Sequence, residues 1–235
     1  FKRIIIAGDG VEALQLVRSH VPDIIVSDVM MPRMNGYKLC KTIKEDINIS
    51  HIPVILLTAR DDRQSQISGY KNGADGYLSK PFEVEMLMEL IRNRLKNREY
   101  TKKRYLNAGL IPTPEESTIS LTDETFLIKL NSIIQENIEN SNLGIQFICQ
   151  EVGLGRSSLY NKLKALTGMG ANEYISKLRI EKAITLISGT DMPFSEIAEK
   201  TGFTTPSYFS TAFKQYTGET PSQYKERKKK GLAGK

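Results

Sequence analysis

Four short runs of branched apolar residues, most of them followed by a segment of helical spacing, divide the first 97 residues of this chain. Arg3-Ile4-Ile5-Ile6-Ala7 closes at Gly8-Asp9-Gly10, after which Val11, Ala13, Leu14 and Val17 recur at helical spacing up to Pro22. Ile24–Ser27 is the second run, with a helix expected from Tyr37 to Asp46. Pro53–Thr58 is the third, with a helix expected through Asn72, and Gly76–Ser79 is the fourth. An amphipathic helix, Val84–Lys96, closes the region. Strands alternating with helices predict an α/β fold, a parallel sheet covered on both faces.

In such sheets the functional residues lie where strands end. The ends read Ser27-Asp28, Leu57-Thr58 and Ser79-Lys80-Pro81. An acid, a hydroxyl and a lysine thus converge on one edge. A carboxylate there is a nucleophile toward phosphorus, a lysine neutralises a transferred phosphoryl group, and a hydroxyl bonds one of its oxygens. Each alone has a structural alternative: Asp28 as a helix cap, Thr58 as a strand residue, Lys80 as a surface charge. The three in this order favour the chemical reading.

Ser27-Asp28-Val29-Met30-Met31-Pro32-Arg33-Met34-Asn35-Gly36, with Leu57-Thr58-Ala59 and Gly73–Phe82, resembles the receiver family of two-component signalling over residues 1–97. The resemblance implies a flavodoxin-like receiver in which Asp28 accepts a phosphoryl group from a histidine kinase in the presence of Mg2+. It further implies that Thr58 and Lys80 contact the phosphoryl group, that Tyr77 is the aromatic switch, and that the Lys80–Pro81 bond is cis. One departure stands out. Receivers begin with a strand ending in an acidic pair, and this chain starts at what resembles the second strand. Asp28 is then the sole member of a partial Mg2+ site, with Asp61 and Asp62 read as solvated loop acids. The starting residue Phe1 leads to the expectation of a chain that begins inside a longer polypeptide. Without the first strand, a gap of about 10 Å would separate its two neighbours, so upstream residues or a rearranged sheet are expected.

Residues 98–121 change character, with basic residues, then Gly109 and Pro112-Thr113-Pro114, and read as a linker. A new domain is expected from Thr122 to Tyr224 and a little beyond, to residue 228, with Leu127, Leu130, Ile134 and Ile138 on one helix face. Within it the sequence repeats. Ile145–Leu154 matches Phe194–Phe203 at an offset of 49; downstream, Leu159, Leu163, Lys164, Thr167, Gly168 and Tyr174 match Phe209, Phe213, Lys214, Thr217, Gly218 and Tyr224 at an offset of 50. Each copy reads as helix, glycine turn and second helix, which is the helix-turn-helix pattern. A helix from Glu173 to Ile187 joins the copies. Tyr174–Ala183 and Tyr208–Arg227 resemble the AraC/XylS family of transcription regulators.

That resemblance implies double-stranded DNA as partner. It places base-reading positions at Arg156, Ser157, Tyr160 and Asn161 on the first recognition helix and at Thr205, Ser207, Ser210 and Thr211 on the second. Lys162, Lys164 and Lys214 are expected at phosphates, which position a protein without reading sequence. The net charge of +6 fits, since residues 145–230 hold 13 basic and eight acidic side chains. Residues 229–235 read as a basic tail. A receiver followed by this domain is similar to the end of hybrid two-component sensors, whose parent chain carries a histidine kinase; a homodimer in the cytoplasm is expected, with the parent anchored in the inner membrane in that case.

Composition narrows the alternatives. No apolar run approaches the ~20 residues that span a bilayer. Cys40 and Cys149 read as buried thiols, and His20 and His51 lack ligand-like neighbours. An aspartyl-phosphate phosphatase would need a second acid two residues after Asp28, where Met30 stands. No catalysis is therefore expected of this segment beyond accepting a phosphoryl group. The alternative left open keeps DNA binding and makes the receiver a phosphorylation-independent dimerisation module.

Overall fold

The computed structural model describes residues 2–59, 73–108 and 120–232. The chain divides into two compact units, residues 1–127 with 161–168, and residues 128–160 with 169–235.

In the first unit, helix α1 (Gly10–His20) is started by Asp9, whose side chain accepts from the N–H groups of Val11 and Glu12. Strand β1 (Ile25–Asp28) follows, then α2 (Gly36–Glu45), capped by Asn35. Strands β2 (Val54–Ala59) and β3 (Gly76–Lys80) complete a parallel sheet of order β1-β2-β3. The register pairs Asp28 with Leu57, Thr58 with Ser79 and Ala59 with Lys80. Parallel pairing brings all the carboxyl ends to one edge. Central β2 is covered on both faces: Val54, Ile55 and Leu56 are wholly buried. Leu39, Cys40, Ile43, Ile49 and Ile52 pack with Val54 and Leu56 in the core.

Two boundaries differ from the sequence reading. The run Arg3–Ala7 is not a strand; Ile4 and Ile6 are 74% and 84% exposed. Strand backbone needs a neighbour for its N–H and C=O groups, and among the described residues none pairs with this run. The closing helix α3 (Val84–Ala108) runs well past Lys96 through the basic segment assigned to the linker. No proline or glycine interrupts it before Gly109, and Glu99 pairs with Lys102 one turn on. The helix expected through Asn72, with Asp61 and Asp62, lies outside the described residues, as does the linker segment Gly109–Ile119.

Helix α4 (Leu121–Glu136) opens the all-α half, followed by α5 (Ile145–Val152), α6 (Arg156–Thr167), α7 (Ala171–Gly189), α8 (Phe194–Lys200), α9 (Pro206–Thr217) and α10 (Pro221–Leu232). The last reaches into the expected tail. In the second unit Ile180, Ala183 and Ile187 of α7 form a core with Ile197, Ala198, Phe203, Phe209 and Phe213. Edge-to-face ring contacts run from Phe209 through Phe213 to Tyr224.

The repeat holds down to single bonds. After α5, Leu154 N–H donates to Cys149 C=O (3.0 Å); after α8, Phe203 N–H donates to Ala198 C=O (2.9 Å). Gly153 and Gly202 carry these turns at φ 73° and 71°, a left-handed conformation that ends helices and favours glycine. Fifty residues apart, the Thr167 and Thr217 hydroxyls donate to the carbonyls of Leu163 and Phe213, both at 2.8 Å.

Candidate functional site

Asp28 ends β1 and Lys80 ends β3, with β2 between them. Lys80 Nζ nevertheless reaches Asp28 Oδ2 at 2.5 Å, while Asp28 Oδ1 accepts from the N–H of Met30 at 3.2 Å. Burial by itself would raise the Asp28 carboxyl; the hydrogen bonds from Lys80 and Met30 outweigh it and hold the group below the ordinary carboxylate value. Both side chains keep solvent access, 36% and 45%, so the carboxylate is ionised and reachable. Thr58 stands one residue beyond the register partner of Asp28. It is wholly buried, and among the described residues its Oγ1 has no hydrogen-bond partner. Tyr77 on β3 is half-buried against the sheet core, and the Lys80–Pro81 bond is cis.

Gly36 was part of the motif, but its physical role emerges only here. A Cβ at Gly36 would lie 2.3 Å from the Asp28 carbonyl oxygen. Its absence lets α2 start directly against the loop that holds Asp28, and the Gly36 N–H donates to Val29 C=O at 3.0 Å.

Asp28 brings one carboxylate to the site. Among the described residues no cluster of three or more His, Cys, Asp or Glu is placed to hold a metal. Asp9 is already engaged, capping α1 and accepting from Arg33. The described residues therefore do not make a complete Mg2+ site.

On α6, Arg156, Ser157, Tyr160, Asn161 and Lys164 are exposed, while Leu159 and Leu163 are buried. On α9, Ser207, Thr211 and Lys214 are exposed and Ser210 is half-buried. Thr205 caps α9, its hydroxyl accepting from Tyr208 N–H, so that oxygen already carries a structural bond. Tyr208 itself, 54% exposed, was not among the expected readers; the repeat aligns it with Ser158, which drew no attention to it.

Lys162 departs from the expectation of a phosphate contact. It is wholly buried in the first unit, its ammonium on Asp123 and 2.7 Å from Ser50 Oγ. Ser50 also donates to Asp123 at 2.7 Å, and the Lys162 ammonium lies 5.1 Å from the Phe126 ring centre. Burial would raise the Asp123 carboxyl, and the adjacent Lys162 charge holds it below its usual range. In this arrangement Lys162 offers no charge to solvent. Its partners lie 39 and 112 residues away in sequence, so nothing local announced the pairing.

Among the described residues no helix is long and apolar enough to cross a membrane. A family model described as the response regulator receiver domain matches residues 1–92, and one described as a helix-turn-helix domain matches residues 148–227. The chain is 42% identical to "Histidine kinase P4" of Formosa agariphila, over 95% of this chain and 16% of that protein. It is 30% identical to "Probable transcriptional regulator ycf29" of Pyropia yezoensis, over 72% of this chain and 82% of that one. Among solved structures, it is similar to the C-terminal domain of AraT, a response regulator from Geobacillus stearothermophilus, at 31% identity and TM-score 0.41, covering 43% of this chain and 84% of that one.

Proposed function

Because this chain belongs to the response regulators that join a receiver domain to an AraC-type helix-turn-helix domain, we propose that phosphorylation of Asp28 controls its sequence-specific binding to DNA and hence transcription. The observation that carries the control step is the ionised, solvent-reachable Asp28 carboxylate held by Lys80 at the carboxyl edge of the sheet. An Asp28 oxygen attacks the phosphorus of a phosphohistidine donor. The O–P bond forms as the N–P bond breaks, and the imidazole leaves with the electron pair and takes a proton from water. Lys80 then neutralises the phosphoryl oxygens instead of the carboxylate, and the buried Thr58 hydroxyl donates to one of them. Mg2+, when bound, would supply further neutralisation of that charge. Tyr77, the register partner of Leu56 two residues before Thr58, follows the movement of that hydroxyl.

Binding to DNA is assigned to the exposed faces of α6 and α9. The working limits are a receiver over residues 1–97, a connection over 98–121 that begins as helix, and a DNA-binding domain over 122–228. The phosphodonor is a histidine kinase, in the same polypeptide or another, and the phosphorylated form is a cytoplasmic homodimer on paired sites. Among the described residues no group of three or more metal-ligating side chains forms, which favours one competing reading, a receiver that dimerises without phosphorylation. Labelling the whole polypeptide with a radioactive phosphodonor and Mg2+ separates the two. A hydroxylamine-labile label lost in Asp28→Asn supports phosphorylation; a protein that takes up no label yet dimerises and binds DNA supports the alternative.

A further inference from the structure

Arg179 sits midway along α7, the helix that joins the two helix-turn-helix copies, and is buried to 9% exposure. Its guanidinium touches both sides of that junction. Nη2 donates to the Asn140 carbonyl at 2.7 Å, and that same carbonyl accepts the Leu143 N–H at 3.0 Å in the turn that leads into α5. The group also lies against the turn of the second copy, its Cζ 5.9 Å from the Phe203 ring centre. The fit is tight. A Cβ at Gly202 would stand 2.9 Å from Arg179 Nη2 and 2.2 Å from the Ile138 carbonyl oxygen. Within the second unit, a single planar side chain is therefore clamped between the segment entering the first motif and the turn of the second.

The chemistry makes this an unusual choice for a space-filling residue. Among the described residues no carboxylate pairs with Arg179, and its buried Nε has no hydrogen-bond partner. A buried charge without an acid is costly, and buried polar groups of this kind are best attested where they fix one arrangement among several. An apolar side chain would fill the same space without that penalty.

We propose that Arg179 is a positioning residue for DNA recognition: it fixes the register between the two helix-turn-helix motifs, and so the spacing between the two stretches of major groove that the protein accepts. The proposal rests on the reading that α6 and α9 both contact DNA, because a rigid joint has a spacing to enforce only if both motifs bind.

The test uses the complete chain and a duplex selected by the wild-type protein from a randomised pool, then rebuilt with one or two base pairs inserted between the two protected segments. Wild type should lose at least about tenfold in affinity on each insertion, the scale of one mismatched base pair. Arg179→Met should bind the parent duplex more weakly but lose most of that discrimination, and Arg179→Lys, which keeps a donor for the Asn140 carbonyl, should recover part of it. Contact with each half-site alone should persist in both variants. A merely structural role predicts weaker binding on all duplexes with the wild-type ratio between spacings, and that result overturns the proposal. So does a wild type indifferent to spacing, or a failure of both variants to fold. A wild type that protects no DNA defeats the underlying reading as well, and is told apart by the absence of any selected duplex.

Discussion

Lys80 Nζ lies 2.5 Å from Asp28 Oδ2, so the base at the end of one strand neutralises the acid two strands away before any phosphoryl group arrives. Lys80→Met should therefore raise the Asp28 carboxyl toward, or past, the ordinary carboxylate value, since burial then acts with one fewer opposing hydrogen bond. The sign of its linkage follows. A depressed folded-state value contributes stability that is present above the unfolded value, near 3.9, and is lost as pH falls through the folded one. Carbon-detected NMR titration of Asp28 in the two proteins checks this; an unchanged midpoint in the variant removes Lys80 as the cause.

Burial drives His51 down to about 3, and the nearby charges of Lys162 and Arg98 push the same way. The unfolded chain takes up this proton near pH 6.5 and the folded one does not. Stability from this group is thus complete above 6.5 and declines from there toward pH 3, by about 1.4 kcal/mol per pH unit for one proton. Urea unfolding from pH 7 to 4 should show this slope in wild type and lose about one proton's worth of it in His51→Phe.

The wholly buried Lys162 ammonium pairs with Asp123. Removing one partner alone strands a buried charge, so Lys162→Met should cost about 3–5 kcal/mol, while Lys162→Met with Asp123→Leu should recover most of it. Denaturant midpoints for the two single variants and the double variant measure the coupling. A Lys162→Met protein of wild-type stability, with a weakened salt dependence of DNA binding, would return Lys162 to the phosphate role expected from its sequence position.

On DNA, Arg156→Ala and Asn161→Ala should each cost about 1–3 kcal/mol on the preferred site and blur discrimination between sites. Lys164→Ala and Lys214→Ala should weaken all sequences alike and flatten the salt dependence. Leu163→Ala, at 1% exposure, should instead lower the melting temperature. Titrations at two salt concentrations, with a parallel melt, separate the three classes.

Gly36→Ala should disturb the Asp28 loop, because the added carbon would meet the Asp28 carbonyl at 2.3 Å. The expected result is slower phosphoryl transfer with the DNA-binding half still folded. Phosphorylation kinetics beside a melt of each half decide it.

What could be read from the chain alone follows the range of the interactions. Periodicity located β1, β2, β3 and α1, and the 49-residue offset anticipated matching turns at Gly153 and Gly202, because these depend on neighbours a few residues away. The continuation of α3 to Ala108 was also legible, in the lack of any breaker before Gly109, but the clustered charges of Arg98–Arg104 read as a linker. Arg3–Ala7 shows the opposite error: strand propensity without a neighbouring strand makes no strand. Lys162, Asp123 and Ser50 meet only through tertiary structure, as do Arg179 and the Asn140 carbonyl, and their spacings carry no local signal.

The duplicated turn bonds have a consequence for how this protein can vary. In both copies the bonds that shape the turns and helix ends fall on backbone carbonyls, two glycines and the hydroxyls of Thr167 and Thr217. Among the described residues, Ser157 and Tyr160 on one helix and Ser207 on the other lend no side-chain bond to that framework. On the proposed assignment of these faces to DNA, their identities can drift without unfolding either motif, and separately, so that one half of the operator could be retuned while the other half stays legible to the same protein.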